Sequence, residues 1–178
     1  MLAELCVIIE AAGEDDQINV IVLKSGADSA FCAGASFHDM VNITTEAEGK
    51  AFFMGFANVI NALRKCPKVT IGAIQGKAVG GGVGLAASTD ICFASEFALV
   101  KLSELSIGIG PFVIEPVVKR KIGNTAMAQL TLKAQTFFSA KWACKKGLYA
   151  NVFETNKALN FEVDILAKEL QCYNPEAL

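Results

Sequence analysis

With 178 residues, 53% of them hydrophobic, the chain suits one globular domain with a substantial core. A formal net charge of −2 excludes a disordered polyelectrolyte and gives no reason to expect a nucleic-acid partner. No apolar run approaches the ~18 residues of a membrane span, and the acidic Glu4 opens the chain without a basic flank, so neither a membrane segment nor a signal peptide is predicted.

The six cysteines (Cys6, Cys32, Cys66, Cys92, Cys144, Cys172) are widely spaced with no C-x-x-C pair, and His38 is the single histidine. No zinc pattern follows from them, no metal is expected, and reduced thiols in a cytoplasmic protein are the plain expectation.

In chain order, Leu2 to Ala12 reads as a helix ended by Gly13. Asn19 to Leu23 is a continuous apolar strand, predicted to be covered on both faces. A helix followed by such a strand is an odd start for a domain, so an upstream segment is expected. Ser25 to Ser29 is a loop by composition, and Ala30 to Ser36 is small and apolar but too broken by Gly34 for a regular strand. Thr45 and Glu48 form a capping box for a helix from about Glu46 to Lys65, with Phe52, Phe53, Phe56, Val59, Ile60 and Leu63 largely along one stripe. Cys66-Pro67 stops it.

Strand Lys68 to Ile74 leads to the turn Gly80-Gly81-Gly82-Val83-Gly84, a short helix to Ser88 and a second apolar run, Ile91 to Ala94. Leu102 to Leu105 reads as a helical turn and Ile107 to Pro111 as a loop. Helices follow over Val113 to Lys121 and Thr125 to Leu132, separated at Gly123-Asn124. Ser139 caps a helix that Gly147 ends, Asn151 to Phe153 is a short strand, and Lys157 to Cys172 is a final helix. The clusters Lys119-Arg120-Lys121 and Lys141, Lys145, Lys146 read as solvated helix faces. Apolar strands alternating with helices define an α/β domain without internal sequence repeats.

The glycine turn matches neither phosphate motif. Gly72 to Lys77 has one residue too few for a phosphate loop, and Ala78 stands where Ser or Thr must reach magnesium. Gly80 to Gly84 cannot be aligned to G-x-G-x-x-G, and no acidic residue closes the next strand at the right distance. Alone, the turn reads equally as close strand–helix packing or as a ligand site. The second small-residue stretch, Ala33-Gly34-Ala35, shifts the balance: two backbone-dominated loops can each aim an N–H at one carbonyl oxygen.

Phe31-Cys32-Ala33-Gly34-Ala35-Ser36 and Gly80-Gly81-Gly82 resemble the two signature loops of the crotonase (enoyl-CoA hydratase/isomerase) superfamily. Val20 to Leu23, Val69 to Gly76, Asp90-Ile91, Ser103-Glu104, Gly108, Pro111 and the stretch Ser139 to Leu148 follow in the family's order, so the match covers about Asn19 to Phe153. The resemblance implies a single crotonase-like domain, a spiral of ββα turns assembled as a homo-trimer or hexamer. It implies an acyl-CoA thioester as substrate, with coenzyme A part of the substrate and no separate cofactor. The thioester oxygen would sit between the N–H groups of Ala35 and Gly81. The carbonyls of Ala33 and Ala35 would meet the adenine, and Gly82 and Gly84 would line the substrate site. His38 falls where many relatives carry a lysine near the phosphates, and reads equally as a surface histidine.

Relatives also carry a further N-terminal hairpin and C-terminal helices that are not visible here, so the chain is expected to be incomplete at both ends. Family hydratases use two glutamates. The first falls at Gly84 and is absent; the second falls at Glu104 and is present. One carboxylate suits an isomerase that moves a proton between carbons of a thioester enolate, and Glu104 is the expected base, a salt-bridge carboxylate being the plain alternative. A hydratase working without the first glutamate, a non-catalytic acyl-CoA-binding member, and a decarboxylase or thioesterase are the other readings. Phe112, where hydratases often have glycine, is expected to narrow the acyl pocket. Asp90 is expected to be a buried structural acceptor.

Overall fold

The structure, a computed structural model, describes residues 1–26 and 29–178. Of the predicted loop Ser25 to Ser29, Ala27 and Asp28 lie outside the described residues. Helix α1 (Leu2–Glu14) is followed by β1 (Val20–Lys24), β2 (Ala30–Cys32), α2 (Phe37–Val41) and α3 (Glu46–Lys65). Next come β3 (Val69–Ile74), β4 (Lys77–Val79) and α4 (Gly81–Ser88), then β5 (Ile91–Ser95), β6 (Val100–Lys101), a 3-10 turn (Glu104–Ile107) and α5 (Glu115–Leu132). Helix α6 (Ala140–Lys145), β7 (Asn151–Phe153) and α7 (Asn156–Gln171) complete the regular part, before a second 3-10 turn at Pro175–Ala177.

Odd and even strands enter different sheets. One sheet has the order β1-β3-β5-β7 and the other β2-β4-β6, and every pairing between neighbours is parallel. Each pass of the chain therefore lays one strand on each sheet and returns through a helix, which is what parallel neighbours require. The result is the ββα spiral that the resemblance implies.

Local signals explain most helix limits. Thr45 Oγ1 accepts from Glu48 N at 3.2 Å and Glu48 Oε2 accepts from Thr45 N at 3.0 Å, completing the predicted capping box. Ser139 caps α6 by accepting from Trp142 N at 3.1 Å. The predicted break in α5 falls at Gly123, whose φ of 74° is incompatible with a right-handed helix.

Three short strands and α2 go beyond the sequence reading. Ala30–Cys32 does form a strand, because it ends before Gly34 and finds β4 as its partner. Strands of two or three residues owe their existence to neighbouring chain rather than to their own propensity. β1 is contacted on both faces, by α7 through Val20 and Val22 and by the main core through Leu23, yet it is only half-buried because it is the edge of its sheet. Of the lysine clusters, Lys119 pairs with Glu115 at 3.0 Å and Lys141 with Glu96 at 2.7 Å on exposed helix faces, whereas Lys121 is half-buried and donates to Asp90 O at 2.7 Å.

Asp90 is a structural acceptor, though the residue itself is exposed rather than buried. Its Oδ2 accepts from Thr70 N at 2.8 Å and from Thr70 Oγ1 at 2.7 Å, and Thr70 is fully buried. Asp90→Ala leaves the Thr70 N–H without an acceptor. A loss of about 2–3 kcal/mol is expected in chemical denaturation, since hydrogen bonds to a charged group carry that magnitude, and Asp90→Asn should recover part of it.

Candidate active site

A cavity of about 240 Å³ opens where the ends of β2 and β4 face the turn Glu104–Ile107. Ala33, Gly34, Ala35, Gly80 and Gly81 line it from the two glycine-bearing loops, and Ser103 and Glu104 from the start of the turn. Met40, Phe52, Phe53, Phe56, Ile107, Ile109, Val113 and Ile114 supply its apolar lining. Among these described lining residues Glu104 is the single ionisable group.

The two glycine-bearing loops lie against each other. Gly34 has φ 91° and Gly80 φ 52°, values that favour glycine in both cases. A Cβ on Gly34 would lie 3.0 Å from Val79 O and 3.9 Å from Gly81 N, so the Ala33–Ala35 loop has no room for a side chain at its centre. Gly81 is the first residue of α4, and its N–H has no acceptor within the helix. Among the described residues neither Gly81 N nor Ala35 N meets a backbone acceptor. A Cβ on Gly81 would lie 2.5 Å from the Phe56 ring, so an aromatic face packs directly on this turn.

Glu104 reaches back to the same place. A Cβ on Gly80 would lie 3.0 Å from Glu104 Oε1, which sets the carboxylate against the residue preceding Gly81. Its other oxygen, Oε2, is buried and has no hydrogen-bond partner among the described residues. Burial pushes the Glu104 carboxyl above the ordinary value of 4.5, and the backbone N–H groups of Glu104 and Ser103 offset only part of that. A half-buried carboxylate with one unpartnered oxygen, beside unpartnered N–H groups, can take up a proton while charge develops on a nearby oxygen.

Not every residue singled out in the sequence belongs to this cavity. Ala33, Ala35, Gly81 and Glu104 line it. Gly82 is buried, and a Cβ there would meet Cys32 O at 2.5 Å; it packs α4 on β2 rather than facing the cavity. Gly84 is also buried: a Cβ there would lie 2.5 Å from Ile114 Cγ2 and 3.4 Å from Ile60 Cδ1. Neither Gly82 nor Gly84 is part of the lining. Phe112 is 83% exposed and turns outward over Gly110, so it does not narrow the pocket. His38 sits on α2 with its side chain 86% exposed, 3.5 Å from Asp39 Oδ1 and off the cavity wall.

The apolar wall was under-read in the sequence. Phe52 and Phe53 are adjacent on α3 and meet edge to face with centroids 5.3 Å apart; both line the cavity, and neither is among the helix's buried residues Phe56, Val59, Ile60 and Leu63. That adjacency was the available signal for a second functional face of α3. Ile114 gave no such signal, because its role depends on Gly84 thirty residues earlier.

Two glycine loops facing one carboxylate on a ββα spiral define the crotonase class. The enoyl-CoA hydratase/isomerase family model matches residues 1–175, and the chain belongs to this family. It is 30% identical over 168 residues to the short-chain-enoyl-CoA hydratase of Clostridium acetobutylicum, covering 94% of this chain and 64% of that protein. It is 25% identical over 187 residues to the mitochondrial Delta(3,5)-Delta(2,4)-dienoyl-CoA isomerase of Mus musculus, covering 98% of this chain and 57% of that protein. Among solved structures, the enoyl-CoA hydratase of Mycobacterium smegmatis superposes with a TM-score of 0.93 at 25% identity, covering 99% of this chain and 68% of that one. The chain thus spans less than two thirds of the length of these curated relatives. Among the described residues no helix is long and apolar enough to cross a membrane, and no cluster of side chains could hold a metal ion.

Proposed function

We propose that the protein acts on an acyl-CoA thioester as a one-glutamate enoyl-CoA isomerase. The observation that carries this reading is the meeting of a single carboxylate, Glu104, with the unpartnered N–H groups of Ala35 and Gly81 in one small cavity. The thioester oxygen accepts from both N–H groups, which lowers the cost of removing a proton from C2. Glu104 takes that proton, the negative charge spreads to the thioester oxygen, and the same carboxyl returns the proton at C4. The double bond moves from C3–C4 to C2–C3, and no atom is gained or lost. A mainly apolar wall suits an acyl chain and keeps water from competing for the enolate.

Adding water instead asks for a second acid–base group. The volume in which a side chain at Gly84 would begin is occupied by Ile114, itself a wall residue, and this supports proton transfer over hydration. Exposed apolar side chains at Phe112 and Leu132 beside α5 support the homo-trimer or hexamer, and free thiols at its cysteines support a cytoplasmic placement. The test is to incubate a 3-enoyl-CoA and crotonyl-CoA side by side and resolve products by mass spectrometry and chromatography. Conversion of the first without hydration of the second is expected. Hydration at comparable rates would make it a hydratase, and tight binding with no product from either would make it a non-catalytic acyl-CoA-binding member.

A further inference from the structure

Two lysines of the smaller sheet share one aromatic ring. Lys77 Nζ lies 5.3 Å and Lys101 Nζ 5.2 Å from the centroid of Phe137, both within the ~6 Å of a cation–π contact. The backbone brings the three together. β4 and β6 are parallel neighbours with Val79 opposite Lys101, so Lys77, Val79 and Lys101 project from one face of the sheet. Phe138 and Val100 exchange two backbone hydrogen bonds of 2.9 Å, which sets Phe137 on the face of Lys101. Ala78, Val100 and Phe138 point the other way and are buried.

The charge at this place is unbalanced. Among the described residues neither ammonium has a carboxylate within 4.0 Å. Phe137 is 41% exposed and Lys77 is exposed, so a solute can reach both. The patch also continues into the candidate active site: Val79, opposite Lys101, and Ser103, two residues beyond it, both line the cavity.

We propose that Lys77 and Lys101, held over Phe137, form a binding site for an oxyanion of the phosphate or carboxylate class at the border of the cavity. Two ammoniums offer an anion more charge-assisted hydrogen bonds than a lone surface lysine does, and contact with the one ring holds both stems near it. Beside a thioester cavity the anion has two sources: a phosphate of coenzyme A, or a carboxylate at the far end of a dicarboxylic acyl group. The choice of source rests on the function proposed above; the anion site itself does not.

The test follows the lysine ε-CH₂ resonances by NMR during titration with inorganic phosphate, then glutarate. Saturable shifts at Lys77 and Lys101 with one midpoint are expected, without saturation at the exposed control Lys168. The double variant Lys77→Gln/Lys101→Gln, checked for an unchanged fold by circular dichroism, should bind phosphate about tenfold more weakly or worse. Calorimetry of that variant with coenzyme A, 3′-dephospho-CoA, butyryl-CoA and glutaryl-CoA then separates the sources. A loss absent only for 3′-dephospho-CoA assigns the 3′-phosphate, an equal loss for all four assigns the pyrophosphate, and an extra loss for glutaryl-CoA over butyryl-CoA assigns the acyl carboxylate. Saturable phosphate binding with no thioester binding at all would uphold the anion site while removing the proposed function. Shifts that do not saturate, or that match Lys168, would overturn the site.

Discussion

Glu104→Gln is expected to lower turnover of a 3-enoyl-CoA by about 10²–10⁴-fold, the usual contribution of a positioned acid–base group. The amide matches the carboxylate in shape, so affinity for an unreactive acyl-CoA should change little, and the loss should fall on kcat rather than on KM. In the role proposed for it, Glu104 must be ionised to accept a proton. Because burial raises its pKa, the acidic limb of the rate profile should lie above 4.5. The same shift carries a stability consequence of definite sign. A carboxyl whose pKa is higher folded than unfolded holds its proton more tightly in the folded state, so stability falls as pH rises from 4.5 to the folded value and stays reduced beyond it. Glu104→Gln removes that cost. Thermal melts should therefore place the variant above the parent at neutral pH and level with it below pH 4.5. Full activity in the variant would end the assignment of Glu104 as base; a variant no more stable at neutral pH would argue against the burial that raises its pKa.

How far the fold and site could be read from sequence depends on the range over which each signal acts. The capping box at Thr45 and Glu48, the break at Gly123 and the cap at Ser139 are set by residues within a few positions, and all were legible. β2, β4 and β6 were not, because they sit beside glycine-rich or loop-like sequence and become strands only when the next turn of the spiral lies alongside. The site divides in the same way. Ala33 to Ala35 and Gly80–Gly81 stand out as backbone loops, and Glu104 as a carboxylate among apolar neighbours. Gly82, Gly84 and Phe112 were expected at the substrate because the resemblance matches them to substrate-site positions of the family. Their side-chain directions, inward against Cys32 and Ile114 and outward to solvent, are settled by packing between distant elements. The shared ring of Lys77 and Lys101 was hidden for the same reason, since Phe137 lies on another part of the chain.

Gly84→Glu tests whether the second acid is missing by substitution alone or because its space has been filled. The new Cβ would lie 2.5 Å from Ile114 Cγ2 and 2.9 Å from Ile114 Cβ, and both Ile114 and Ile60 are buried. Rotation of Ile114 cannot relieve a contact with its own Cβ, so the backbone must shift or the carboxylate must be buried without a partner. Overpacking and an unpaired buried polar group together predict a loss of at least about 3 kcal/mol in urea denaturation. Adding Ile114→Gly removes both contacting atoms at a helix N-cap, where glycine is tolerated. Much of the lost stability should return in the double variant. Because Ile114 lines the cavity, the new carboxylate would then face Glu104 across it. Two carboxyl groups sharing one small apolar cavity cannot both ionise freely: one keeps its proton to deliver to carbon, and the other is left to activate water. Hydration of crotonyl-CoA should emerge in the double variant, be absent from Ile114→Gly alone, and vanish again when Glu104→Gln is added. If Gly84→Glu folds as well as the parent, Ile114 is not what excludes the second acid. If the double variant is stable but still fails to hydrate, a second carboxylate is not the feature that divides the two chemistries in this fold.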